Sequence, residues 1–82
     1  MSLAEVDVRL IRCFSAVFPA LSTEGIRAAS NETVSDWDSL AAVRLVAVLE
    51  EEFGVQIDLA ELPEMSSFAS IRHYLLKRSS AL

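Results

Sequence analysis

The chain has 82 residues, a formal net charge of -5, hydrophobic residues at 52% of positions, and only two glycines and two prolines. This length allows one domain, and the apolar content is typical of a folded helical domain rather than a disordered segment. The acidic balance argues against a nucleic-acid partner, because neutralising phosphates requires clustered lysine and arginine. We therefore expect one domain spanning residues 1–82, whose partners present basic surfaces.

The chain contains one cysteine, Cys13, so it cannot form an internal disulfide, and no Cys/His grouping with the spacing of metal ligands accompanies it. The first ten residues, MSLAEVDVRL, carry acidic side chains where a secretory signal needs a basic start. No apolar run approaches the ~20 residues that span a bilayer. We expect a cytoplasmic protein that binds no metal, does not insert into membranes and acts as a monomer.

In chain order, the first predicted element is an amphipathic helix over residues 3–18, where apolar positions recur at spacings of three and four. The polar run over residues 21–36 lacks such periodicity and predicts a long connection, inside which residues 22–24 can start a helical turn. A loop of this length must cross the molecule, and its ordering entropy needs compensation. The apolar residues expected to anchor it against the core are Ile26, Val34 and Trp37.

The second helix is predicted over residues 39–53. Asp36 and Asp38 place carboxylates where the first backbone N–H groups of a helix are unpaired. Gly54 supplies the left-handed residue that ends many helices. The residues expected to form its buried stripe are Leu40, Val43, Val46, Ala47, Leu49 and Phe53.

Two further helices complete the pattern. Residues 58–65 predict a short third helix, capped by Asp58 and ending near Pro63. Residues 67–78 predict the last helix, with Lys77 and Arg78 complementing the dipole at its carboxyl end. The residues expected to face inward from it are Phe68, Ile71, Tyr74 and Leu75. The fold class is therefore all-α, a small four-helix bundle with three long helices, one short third helix and a long first loop.

The residues that could support catalysis are few, and none forms a recognisable active site. His73 is the only histidine and has no evident partner. Cys13 lies beside the apolar stripe of the first helix, where it serves as a small hydrophobic residue. The carboxylates of residues 50–52 point in different directions around a helix and cannot converge on one ligand. We expect that the protein is not an enzyme.

Ser39 follows an aspartate at a helix start, and taken alone this arrangement favours a structural cap. Ser39 also begins a long amphipathic helix and ends a long loop. A hydroxyl in that place suits a phosphodiester, because the free backbone donors and the positive end of the dipole favour an anion. Ser39 is therefore the leading candidate for a functional residue.

The segment DSLAAVRLVAVLEEEFGVQI resembles the modified-serine region of acyl carrier proteins. Asp38-Ser39-Leu40 matches the start of the second helix in that family, and residues 49–54, LEEEFG, match its end at the same spacing. Since the helix order before and after also agrees, the resemblance covers essentially the whole chain. It implies that Ser39, flanked by Asp38 and Leu40, accepts 4'-phosphopantetheine from a phosphopantetheinyl transferase that uses coenzyme A and magnesium.

The resemblance also implies a role in acyl transport. The thiol of the arm would hold an acyl chain as a thioester and present it to acyl-loading and acyl-transfer enzymes of fatty-acid-like, polyketide or other specialised acyl metabolism. A hydrophobic cleft beside the second helix would protect the chain. The residues that could line this cleft are Val43, Ala47, Ile57, Leu62 and Phe68. The same residues would also suit the core of any helical bundle.

Some residues depart from the pattern of fatty-acid carriers, which place acidic residues directly after Asp-Ser-Leu and again three positions on. This chain has Ala41 and Arg44 there, and apolar residues surround Glu61 in the third helix. Because charge complementarity governs partner choice, Arg44 should weaken docking to enzymes with basic patches. We expect a specialised carrier with dedicated partners, recognised through these three residues. Trp37 also departs from the pattern, and we expect it to pack under the loop rather than contact the arm.

Two alternatives stay open at this stage. An aminoacyl or peptidyl carrier would share the fold and the arm, but such modules commonly have glycine and histidine before the serine, where this chain has Trp37 and Asp38. A helical interaction domain in which Ser39 is only a cap is the other alternative.

Overall fold

The computed structural model describes residues 2–80, and these form helices and no strand. The elements are α1 (Leu3–Val17), α2 (Thr23–Arg27), α3 (Ser39–Phe53), a 3₁₀ helix (Leu59–Glu64) and α4 (Phe68–Ser80). This confirms the predicted all-α bundle with three long helices. The helical turn expected in the long loop is α2, and the short third helix is the 3₁₀ helix. No helix in the described part of the chain is long and apolar enough to cross a membrane.

The long helices begin at local capping signals. Ser2 precedes α1 in an extended conformation, and its hydroxyl accepts the N–H of Glu5 at 3.2 Å. Asp38 does the same for α3, where its carboxylate accepts the N–H of Ala41 at 2.8 Å. Both bonds satisfy a donor that has no partner within the helix. At the other end of α3, Gly54 has φ 65°, a left-handed conformation that glycine adopts without the strain of a side chain.

The three predicted anchors do hold the long connection against the core. Ile26 is 1% exposed and Trp37 is 6% exposed, while Val34 is partly buried against the same cluster. Trp37 packs against the rings of Phe14 and Phe18, with ring centroids 5.5 Å away in each case. The expectation that Trp37 packs under the loop is therefore confirmed.

The connection is also bonded to the start of α4. The N–H of Asn31 donates to the carbonyl of Ser66 at 2.8 Å, and the N–H of Phe68 donates to the carbonyl of Ala29 at 3.0 Å. These bonds pair residue 30 with residue 67 in an isolated antiparallel bridge. The loop before α3 thus has one fixed point on α4 and another at Trp37.

The buried face of α3 differs from the predicted stripe. Val46 and Leu49 are buried as expected, but Leu40 is 69% exposed, Val43 is 44% exposed and Ala47 faces solvent. Ala41 and Leu45 take their places in the core, where α3 packs on α1. The prediction failed because α3 carries apolar residues around most of its circumference, so spacing alone did not select the face. Phe53, also placed in the stripe, is only partly buried.

Polar contacts add to the packing of α1 on its neighbours. Arg9 bonds Glu52 of α3 twice, from Nε to the carboxylate at 2.7 Å and from Nη2 to the backbone carbonyl at 2.5 Å. Asp7 lies 3.4 Å from the guanidinium of Arg27 in α2 and 3.6 Å from that of Arg72 in α4. These contacts connect α1 to each of the other α-helices.

Candidate functional site

Ser39 is the first residue of α3, and its side chain is exposed. Its position follows from its two predecessors. Trp37 is buried in the aromatic core, and the extended backbone of Asp38 then begins the helix. The chain emerges from the core and reaches the first helical residue within two positions. The hydroxyl of Ser39 is thereby presented to solvent on a fixed part of the fold.

The surroundings of the Ser39 hydroxyl favour a negative group. The first N–H groups of a helix have no intrahelical acceptor, and Asp38 uses its side chain to cap the N–H of Ala41 alone. The N–H groups of Ser39 and Leu40, at the positive end of the dipole of α3, remain directed to the helix start. A phosphate ester on the hydroxyl of Ser39 would be stabilised there.

A groove of about 470 Å³ opens beside Ser39, between the start of α3, the loop and the 3₁₀ helix. Its apolar walls come from Ala42 and Val43 on one side and from Leu62, Pro63 and Met65 on the other. The residues that add polar groups or an aromatic ring to the lining are Asn31, Trp37, Asp38 and Ser66. The groove can therefore receive an apolar group attached near Ser39.

The structure brings together only two of the five residues suggested for a cleft. Val43 and Leu62 line the groove beside Ser39. Ala47 faces solvent, while Ile57 and Phe68 are buried, at 7% and 2% exposed, and do not line this groove. Sequence reasoning placed Asp38 and Trp37 next to Ser39 but missed the lining residues Asn31, Ala42, Pro63, Met65 and Ser66. Pro63 and Met65 adjoin Leu62 in the chain and could have been found from it, whereas nothing in the sequence signals Asn31 and Ser66.

The three residues suggested for partner recognition have different environments. Ala41 is 8% exposed, because it lies on the same stripe as Leu45 and faces the core. Arg44 is exposed. Glu61 is partly buried and accepts a hydrogen bond from the hydroxyl of Tyr74. Of the three, only Arg44 is exposed.

The exposed residues of α3 that follow Ser39 form one stripe, which we name the outward face of α3. Its members, at helical spacing, are Leu40, Val43, Arg44, Ala47 and Glu51. The first turn of α3 contains no acidic residue. Near Ser39 this face is therefore apolar with the positive charge of Arg44, and Glu51 adds a negative charge near the end of α3.

A second groove, of about 410 Å³, lies between the 3₁₀ helix and α4. Glu61 and Glu64 line it from the 3₁₀ helix, and Tyr74 and Arg78 line it from α4. Nη1 of Arg78 donates to the hydroxyl of Tyr74 at 2.9 Å, and that hydroxyl donates to Glu61. Burial raises the pKa of the Tyr74 hydroxyl, and the bond to Glu61 raises it further. The hydroxyl is therefore protonated and able to donate at neutral pH.

The other groups considered for chemistry are not assembled into a site. His73 is exposed on α4. Cys13 is 1% exposed, and burial raises the pKa of its thiol to about 11. Glu50 accepts the N–H of Ile57 at 2.8 Å, while Glu52 binds Arg9, so these carboxylates point apart. Within residues 2–80, no three His, Cys, Asp or Glu side chains come together as metal ligands.

Comparison with known proteins agrees with the geometry at Ser39. A family model described as a phosphopantetheine attachment site matches residues 9–75. The match extends from α1 into α4 and includes Ser39, the groove beside it and the outward face of α3. No curated protein matches the chain.

Proposed function

The chain belongs to the family of phosphopantetheine-binding carrier proteins, and we propose that Ser39 is the residue that receives the 4'-phosphopantetheine group. We further propose that the protein carries acyl chains for dedicated enzymes. The observation that carries the proposal is the exposed hydroxyl of Ser39 at the start of α3, beside an apolar groove. Asp38 and Leu40 flank this hydroxyl. A phosphopantetheinyl transferase and enzymes that load and remove acyl groups are the expected partners.

The residues around Ser39 suit the group chemically. Ser39 supplies the oxygen for a phosphodiester, and the unpaired N–H groups at the start of α3 stabilise its negative charge. The cap bond that the Asp38 carboxylate accepts from the N–H of Ala41 holds these donors in helical geometry. When bound, the group supplies a thiol that holds an acyl chain as a thioester.

The groove beside Ser39 supports an acyl cargo. Val43 and Leu62 both line it, and Met65 adds an apolar, flexible side chain. Burying an apolar chain against them is favourable at about 25 cal/mol per Å² of surface removed from water. These apolar walls support an acyl chain as the cargo.

The outward face of α3 supports dedicated partners. Leu40 is 69% exposed and is available to enter an apolar pocket on an enzyme. Arg44 lies one turn further along the same face and would repel an enzyme that presents lysine or arginine there. We therefore infer a specialised acyl pathway rather than general fatty-acid synthesis.

Intact mass after co-expression with a broad-specificity phosphopantetheinyl transferase tests the attachment residue. We expect the wild-type chain to gain one phosphopantetheine and Ser39→Ala to gain none. Ser35→Ala is the matched control, since Ser35 is exposed in the same loop and should leave the gain intact. A wild-type chain without added mass would instead support an interaction domain in which Ser39 is only structural.

Loading assays test the choice of partner. General fatty-acid enzymes should acylate the wild-type carrier poorly, and Arg44→Glu should improve turnover because it removes the repulsive charge. Arg12→Glu is the control, because Arg12 is exposed on α1 and its substitution changes the net charge by the same amount. An equal effect of the two substitutions, or no improvement with Arg44→Glu, would contradict a specific role for Arg44.

A further inference from the structure

The 3₁₀ helix forms a wall of both grooves. Leu62 and Pro63 line the groove beside Ser39, whereas Glu61 and Glu64 line the groove against α4. A displacement of this helix therefore changes both grooves together. The width of the groove beside Ser39 depends on what holds the other side of the 3₁₀ helix.

The 3₁₀ helix is fixed at its ends but not by a buried side chain of its own. Ile57 before it is 7% exposed and Met65 after it is 4% exposed, so both flanks are anchored in the core. Glu50 of α3 accepts the N–H of Ile57, which secures the entry further. None of the residues of the 3₁₀ helix itself is buried, and Leu62 packs only partly against the core.

Between these fixed ends, a chain of hydrogen bonds joins the 3₁₀ helix to α4. The hydroxyl of Tyr74 donates to the Glu61 carboxylate and accepts from Arg78, whose guanidinium also lies 5.7 Å from the centre of the Tyr74 ring. Charged partners make such bonds stronger than neutral ones. Tyr74 is therefore the link through which α4 holds the middle of the 3₁₀ helix.

We propose that Tyr74, bonded to Glu61 and Arg78, is a positioning residue that holds the 3₁₀ helix in place and so sets the width of the cargo groove beside Ser39. The assignment of cargo to that groove rests on the proposed function, whereas the link itself is a property of the unmodified chain. The hydroxyl of Tyr74 bonds Glu61 and Arg78, neither of which lines the groove beside Ser39. Tyr74 therefore acts through Glu61 on the wall formed by Leu62 and Pro63. Loss of the hydroxyl should loosen this wall and leave the core unchanged.

Trp37 provides a reporter for the test, because it is the only tryptophan in the chain and it lines the groove beside Ser39. In the unmodified protein, Tyr74→Phe should increase acrylamide quenching of Trp37 fluorescence. Amide hydrogen exchange over residues 59–64 should accelerate by roughly fivefold, as expected for the loss of one net hydrogen bond. Exchange in α1 and α3 should keep its wild-type rate.

Two variants separate the link from general destabilisation. Glu61→Gln keeps an acceptor for Tyr74 and should resemble the wild type more than Tyr74→Phe does. Glu64→Gln removes a carboxylate from the same groove wall without touching the Tyr74 bond, and it should change neither readout. Unchanged quenching in Tyr74→Phe, or faster exchange spread evenly over all helices, would overturn the proposal.

The modified protein then tests the link to cargo. In carriers loaded with short and long saturated acyl groups, Tyr74→Phe should change the dependence of the thermal midpoint on chain length. Identical dependence in Tyr74→Phe and the wild type would show that the groove does not set cargo fit. Failure of Ser39 to accept the group would contradict the proposed function alone, because the quenching and exchange results are obtained without it.

Discussion

The cap at Asp38 offers a quantitative test of how the start of α3 is held. Asp38→Ala removes the 2.8 Å bond to the N–H of Ala41, and loss of such a cap costs about 1 kcal/mol. It also removes a negative charge from the positive end of the helix, which costs a further ~0.3–1 kcal/mol. The free energy of unfolding should therefore fall by about 1.5 kcal/mol, which for a domain of this size lowers the thermal midpoint by roughly 6–12 °C.

Two variants divide this loss into its parts, with calorimetry and urea unfolding as the assays. Asp38→Asn keeps an acceptor for the cap but removes the charge, so it should lose only about 0.3–1 kcal/mol. Asp36→Ala removes an exposed carboxylate that makes no cap bond and should change stability by less than about 0.5 kcal/mol. If Asp38→Asn were as destabilised as Asp38→Ala, the hydrogen bond would contribute nothing and the reasoning would be refuted.

The remaining predictions concern other parts of the fold. The buried thiol of Cys13 should resist a disulfide reagent at pH 8 until the chain is unfolded. The free energy of unfolding should also fall as pH rises from 9.0 toward 11, because the thiol loses its proton at a lower pH in the unfolded chain than in the folded one. Cys13→Ala should remove that part of the decline; an unaltered slope would contradict it. Gly54→Ala should cost about 1 kcal/mol through backbone strain alone, since an added Cβ meets no atom within 4 Å, and a neutral effect in urea unfolding would refute the strain. A double-mutant cycle between Arg9→Ala and Glu52→Gln should give a coupling of about 0.5–1 kcal/mol, whereas the same cycle with Glu51→Gln should give none.

The bounds of α3 were predictable from sequence because both ends depend on local chemistry. Asp38 caps the start and Gly54 supplies the left-handed stop, and each needs only its neighbours in the chain. The buried face of the same helix was not predictable. Leu40 and Val43 belong to an apolar series as regular as the one containing Leu45, and only packing against α1 selects between the two.

The site was predictable to a similar extent. The position of Ser39 follows from local signals and from the family resemblance, although its role as attachment residue stays a prediction. The groove depends on the 3₁₀ helix approaching the start of α3, a contact between segments far apart in sequence. For the same reason, nothing in the sequence indicated that Tyr74 would bond Glu61, and Glu61 was expected to face a partner instead.

Under the proposed attachment of an arm at Ser39, the burial of Trp37 has a mechanical consequence. A force applied at Ser39 would act two residues after Trp37, whose ring packs against Phe14 and Phe18 of α1. Such a force would therefore be transmitted to α1 through these ring contacts as well as along α3. Shortening Trp37 to a small side chain would move the load onto the bridge between residues 30 and 67, which two backbone hydrogen bonds would then have to resist.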